Sequence, residues 1–209
     1  MMLNQLIKSD HESRPSSQMG FTLMELMITV SIAGILTGLA VPSFNAIIRS
    51  SRLTTYTNEF VTALNLARSE AVKRGMSVTV RKIDSFSSTK LVGANWEDGW
   101  DVFTDVNSDS KFAAGDVLIK TSGGFNASYT LRGSGLLANY VRFGPDGAST
   151  TGSLVLCDDS DGNGVPEANT SRLITLVTTG RVRIMPDTNG DGIPNKNATT
   201  NIQLCSPPF

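Results

Sequence analysis

The chain has 209 residues, 40% of them hydrophobic, with 18 Lys and Arg against 19 Asp and Glu for a net charge of −1. That composition is globular and excludes a disordered or collagen-like chain; near-neutrality excludes bulk attraction to nucleic acid or anionic membrane, so any such binding needs a local patch. The lone histidine is His11, near the N-terminus, so a chain shortened past that point lacks the residue most used for proton transfer and zinc ligation near neutral pH.

Residues 1–20 are polar, with Lys8 and Arg14 offset by Asp10 and Glu12. From Phe21 to Val41 the chain reads FTLMELMITVSIAGILTGLAV, 21 residues with one charge, Glu25. As a helix this run spans roughly 30 Å, the thickness of a bilayer core. A secretory signal has a shorter apolar stretch with a small-residue cleavage site after it. Here the small residue, Gly20, comes before, so a cut there leaves the apolar segment on the mature protein. A carboxylate at mid-bilayer costs about 2.5–3.5 kcal/mol, less near an end. Glu25 is therefore either tolerated close to the headgroups or partnered. If the chain starts at Phe21, the nearest new positive charge is that residue's α-amino group, or the amine of a neighbouring copy.

The segment Gly20-Phe21-Thr22-Leu23-Met24-Glu25-Leu26 resembles the prepilin leader of type IV pilins and type II secretion pseudopilins. The resemblance implies a membrane prepilin peptidase that cuts after Gly20 and methylates Phe21. It also implies a subunit-assembly role for Glu25 and a helix kink at Pro42. It orients the N-terminus toward the cytoplasm, placing the protein as a single pass in a bacterial inner membrane with its head in the periplasm. The charges alone do not orient it, since Lys8 and Arg14 balance Arg49 and Arg52.

Past Pro42 the period changes. Leu53, Tyr56, Phe60, Leu64, Ala67 and Ala71 step by threes and fours, one stripe of an amphipathic helix. The helix is expected to run from Phe21 to about Arg74, with Gly75 as its cap. Beyond it, β-type runs recur at Ser77–Ile83, Trp100–Thr104, Val117–Lys120, Tyr140–Phe143, Leu154–Cys157, Leu173–Val177, Arg181–Met185 and Ile202–Cys205, punctuated by Gly, Pro, Asn and Asp. The expected fold is α+β: one long N-terminal helix packed on an antiparallel, β-rich head. Its parts are a leader (1–20), a membrane half of the helix (21–41), an amphipathic half (42–75) and the head (76–209). ARSEAVKRG (Ala67–Gly75), TTGRVRI (Thr178–Ile184) and Gly99–Ile119 resemble the GspH/FimT branch of minor pilins and pseudopilins.

Three acidic loops stand out in the head. Asp159, Asp161 and Asn163, with Gly164 following, are nearly repeated 28 residues on by Asp187, Asn189 and Asp191, with Gly192 following. Both carry oxygen side chains at alternate positions and a glycine at the sixth, the front half of a calcium loop. Both lack the acid at the twelfth position, where Thr170 and Ala198 stand. Asp105, Asn107 and Asp109 have that acid, Asp116, but Ser110 replaces the glycine. Weak calcium binding in at least one loop is one reading; the other is that Asp, Asn and Gly are good turn formers.

Cys157 and Cys205 are the only cysteines. In an exported head an even count suggests a disulfide, whose loop closure contributes about 4 kcal/mol; the alternative is two buried thiols. Arg181 and Arg183 share a strand face, with Val182 and Ile184 expected inward. They form either a solvated face or a phosphate-contacting patch; some family members linked to DNA uptake have a Gly-Arg-x-Arg element, which Gly180, Arg181 and Arg183 match. Two arginines give only weak, salt-sensitive DNA binding.

The sequence has no nucleophile elbow and no Gly-rich phosphate loop, which disfavours an enzyme. The expected function is that of a minor pilin or pseudopilin, whose helix is buried in a bundle of homologous subunits. A DNA receptor for transformation is the alternative. An uncleaved single-span anchor is a further one. The implied partners are the peptidase, other pilins or pseudopilins, the inner membrane and, for the alternative, DNA; no cofactor is expected beyond calcium.

Overall fold

The computed structural model describes residues 20–83, 95–126 and 128–209; in the helix, the side chains at 39 and 41–43 lie outside the described set. The expected leader (1–20) therefore falls outside it up to Gly20. Two compact units are present, dividing after Phe44.

Among the described residues a single α-helix is present, α1 (Leu23–Arg74). It closes as the sequence predicts. Gly75 takes φ +64° and the amide of Met76 reaches back to the carbonyl of Ala71 at 3.3 Å, the hydrogen bond of a glycine-terminated helix end. The stripe faces inward. Leu53, Phe60, Leu64, Ala67 and Ala71 are fully buried, and Tyr56 packs against them. Thr57 is buried between them with its hydroxyl bonded to the Leu53 carbonyl at 2.7 Å, which removes the cost of an unpaired polar group.

The antiparallel, β-rich head consists of two four-stranded sheets. The strands are β1 (Val78–Lys82), β2 (Gly99–Thr104), β3 (Leu118–Gly123), β4 (Tyr129–Gly133), β5 (Tyr140–Phe143), β6 (Gly152–Asp158), β7 (Ser171–Leu176) and β8 (Val182–Ile184). The first sheet has the order β3-β2-β1-β5 and the second β4-β6-β7-β8. Alternation of side chains fixes which face of a strand is buried but not which strand it pairs with, so the split was not legible. β4 was not anticipated either, although its burial alternates cleanly at Tyr129, Leu131 and Gly133; glycines crowd both flanks and hide it. Ile202–Cys205 is not a strand. It is an irregular tail held by the Ile202 amide on the Pro194 carbonyl, because it covers a sheet face instead of extending an edge.

Residues of α1 and of both sheets share one core. Phe60 meets Trp96 and Trp100 edge-on at 5.3 and 5.1 Å, and Tyr56 stacks on Phe125 at 4.4 Å while its edge meets Tyr129 at 5.0 Å. Such pairs add about 0.5–1.5 kcal/mol each to area burial. The second sheet is covered on both faces. Leu154 and Leu156 of β6 point to the main core; Val155 and Cys157 point to a smaller one with Leu173, Ile202 and Cys205.

Candidate functional site

Thr22 caps α1: its Oγ1 accepts a hydrogen bond from the Glu25 amide at 3.2 Å. This Thr-x-x-Glu spacing is that of a capping box, a signal the sequence contains and the expectation for Glu25 overlooked. Glu25 thus occupies the first turn, where the helix dipole favours an anion.

The unit that follows exposes its apolar side chains. Phe21 is 81% and Ile35 66% exposed, and Leu26, Met27, Val30 and Leu36 are likewise open. Its hydroxyls are satisfied internally: Thr29 donates to the Leu26 carbonyl at 2.9 Å, Ser31 to Met27 at 2.7 Å and Thr37 to Ala33 at 2.7 Å. Hydroxyls bonded back onto their own helix in this way are compatible with an apolar environment. Pro42 lies within α1 and lacks the N–H that the Gly38 carbonyl would otherwise receive. Among the described residues no helix is long and apolar enough to cross a membrane. The run marked by the sequence continues through Leu39 and Val41, whose side chains are outside that set.

On the head, Gly180 has φ +73°, and a Cβ there would stand 1.9 Å from the Gly147 carbonyl oxygen; only glycine fits. Arg68 of α1 clamps the same place, donating to the Gly147 carbonyl at 3.2 Å and the Thr179 carbonyl at 2.9 Å. From this fixed turn Arg181 and Arg183 project, both exposed. Among the described residues neither makes a side-chain hydrogen bond or ion pair. Val182 packs inward as expected. Ile184 does not: it is 45% exposed, because β8 is a three-residue edge strand that ends there.

The acidic loops turn their oxygens onto their own backbone. Asp159 accepts from the Gly164 amide at 2.9 Å and Asn163 from Val165 at 2.7 Å, while Asp161 pairs with the Asn163 side chain. Asp187 accepts from the amides of Asn189 (3.2 Å), Gly190 (2.8 Å) and Gly192 (2.7 Å). Buried Asp105 accepts from the Asp109 and Ser110 amides, both at 3.0 Å, and from the Thr79 hydroxyl at 2.7 Å. Asn107 bonds Asp109, and Asp116 accepts from the amides of Val106 and Ala113. Among the described residues no three Asp, Glu, Cys or His side chains come together as a metal cage.

These loops are stitched to the C-terminal tail. Cys157 and Cys205 form a disulfide with Cα atoms 5.9 Å apart. Asn201 donates to Asp191 at 2.5 Å, and buried Asn195 donates to Asn201 at 2.7 Å. The Asn201 bond, with the Ile193 amide second, holds the Asp191 carboxyl below its ordinary pKa.

A family model described as type II transport protein GspH matches residues 56–180, more than half of the chain. The prokaryotic N-terminal methylation motif matches residues 16–41. The chain belongs to the GspH/FimT family of minor pilins and pseudopilins. The type IV minor pilin FimU of Pseudomonas aeruginosa (strain PAO1), in space group P21, has the same fold: TM-score 0.51 at 18% identity, over 74% of this chain and 96% of that one. Its P65 crystal form gives TM-score 0.44 at 16% identity, over 75% and 97%. No curated protein is similar to the chain. Family and fold are those of structural, non-enzymatic pilus or pseudopilus subunits.

Proposed function

We propose that the chain is made as a prepilin, cut after Gly20 and methylated on Phe21, and held as a single pass in the bacterial inner membrane with its head in the periplasm. From there its helix enters a pilus or pseudopilus, where it is buried among homologous helices. The observation that carries this reading is the helix beyond the Thr22 cap, with its apolar side chains uncovered and its hydroxyls already bonded. Burying one such Leu, Ile or Phe is worth about 1.5–3 kcal/mol, so lipid and then a helix bundle are its favourable surroundings. Glu25 selects the register: a subunit out of step leaves a desolvated carboxylate without the amine of Phe21, its own or a neighbour's. Pro42 eases the helix between its two halves. The test is Glu25→Ala, expected to be processed normally but depleted from sheared fibres or to stall secretion; normal incorporation overturns the pairing role.

Low-affinity DNA contact by Arg181 and Arg183 is a second reading, favoured by their shared exposed face and their lack of side-chain partners among the described residues. Arg181→Ala/Arg183→Ala is expected to abolish retardation of duplex DNA in a gel; unchanged retardation dismisses the patch.

A further inference from the structure

Arg172 is out of place on β7. The positions two and four further on along the same face, Ile174 and Leu176, are buried in the main core. Arg172 is half-buried beside them. Among the described residues its side chain makes one hydrogen bond, to the carbonyl of the adjacent Ser171 at 2.7 Å, and no carboxylate pairs with it. Burial lowers its pKa with nothing opposing. A guanidinium has five N–H donors in a planar fork, so most of this one's capacity is unspent.

Arg172 lines a cavity of about 270 Å³. Ile184, Met185, Pro186 and Pro194 form apolar wall. The acid that also lines it, Asp187, has both oxygens committed to the amides of its own loop. Ser171 lines it too, and its buried hydroxyl has no hydrogen-bond partner among the described residues. Alongside, β8 is the outer strand of its sheet. The Met185 amide donates to the Leu173 carbonyl and the Arg181 carbonyl accepts from the Val177 amide, which turns the main chain of Met185 and Arg181 toward β7. The alternate residues Val182 and Ile184 therefore present theirs to the open edge.

We propose that this cavity and the edge of β8 form a docking site for an extended, acidic segment of a neighbouring pilin-type subunit, which lies along β8 and sets one carboxylate on Arg172. The inference rests on the reading of the chain as a fibre subunit. Charge and shape select the occupant. The guanidinium fork matches a carboxylate with two parallel hydrogen bonds. Apolar walls suit a peptide whose charge stands alone among aliphatic side chains. A polyanion such as DNA meets the Asp187–Asp191 loop at the rim and is repelled. An open strand edge supplies main-chain hydrogen bonds to a peptide, the mode of strand addition.

The test places a photo-crosslinking benzoyl-phenylalanine at Ile184 in the full-length protein, in cells that build the fibre. The expected result is an adduct that mass spectrometry maps to an Asp- or Glu-bearing segment of a pilin-type subunit. Arg172→Gln should reduce it at least tenfold, Arg172→Lys less, and Arg183→Gln, on the opposite face, not at all. Arg172→Gln should melt within a few degrees of the wild type. If both Arg172 variants unfold, the residue is structural and the proposal falls. It falls equally if the adduct is undiminished in Arg172→Gln, or joins nucleic acid or lipid. Protein recovered in fibres without an adduct overturns this inference alone; protein absent from fibres overturns the fibre reading and this inference with it.

Discussion

The two ends of α1 are both rich in apolar residues, yet they meet opposite fates. Between Leu53 and Ala71 those residues recur at three and four and are buried. Between Phe21 and Ile48 they run almost without interruption, and the large ones whose side chains are described are exposed. A stripe can be covered by one sheet surface; a helix that is apolar all round needs surroundings on every side. The first pattern is satisfied within one chain and the second only by lipid or other chains. The rear half therefore belongs to the stability of the head, and the front half is the part that the proposed assembly would bury.

Four experiments would break or sharpen that contrast. Phe60→Ala removes a fully buried ring that touches both tryptophans. It should destabilise the head by about 3–5 kcal/mol in a denaturant titration, whereas Ile35→Ala, at an exposed position, should leave the same titration unchanged and reduce recovery in fibres. Equal effects on the head would erase the distinction. Reduction of Cys157–Cys205, which closes a separation of 48 residues, should cost up to about 4 kcal/mol and expose the tail to protease before the strands. Gly180→Ala should cost about 1–3 kcal/mol from strain, read as a lower melting temperature. It should also weaken DNA retardation if Arg181 and Arg183 act from this turn. The smallest effect is acid sensitivity of the tail. The Asp191 carboxyl is held below its ordinary pKa in the folded chain, so its contribution is complete above the unfolded value, about 4, and fades as pH falls through the lower folded value. Melting temperature should drop between pH 5 and pH 3, and Asp191→Asn should flatten that drop.

Much of this was legible in the sequence because it rests on local periods. The stripe, the Gly75 cap, and β1, β2 and β5 follow from spacing and punctuation, and Tyr140–Phe143 is reproduced to the residue. What was not legible depends on partners distant in the chain. The division into two sheets, the exposure of Ile184 at a strand end and the tail's role as a cover over β6 and β7 are set by tertiary pairing. The acidic loops show how the same composition serves different ends. Alternating Asp and Asn suits a calcium loop and an Asx turn alike, and the structure spends those oxygens on backbone amides. Arg172 carried no signal at all, since an arginine in a strand of alternating pattern reads as an outward position.

The central claim is that the apolar half of α1 is retained and freed at Gly20 so that it can bundle with its relatives. The direct measurement is the mass of the N-terminal peptide from native protein isolated from membranes and sheared fibres. The account predicts a chain that begins at N-methylated Phe21 in both fractions; a peptide that still begins at Met1 in the fibre fraction would contradict it.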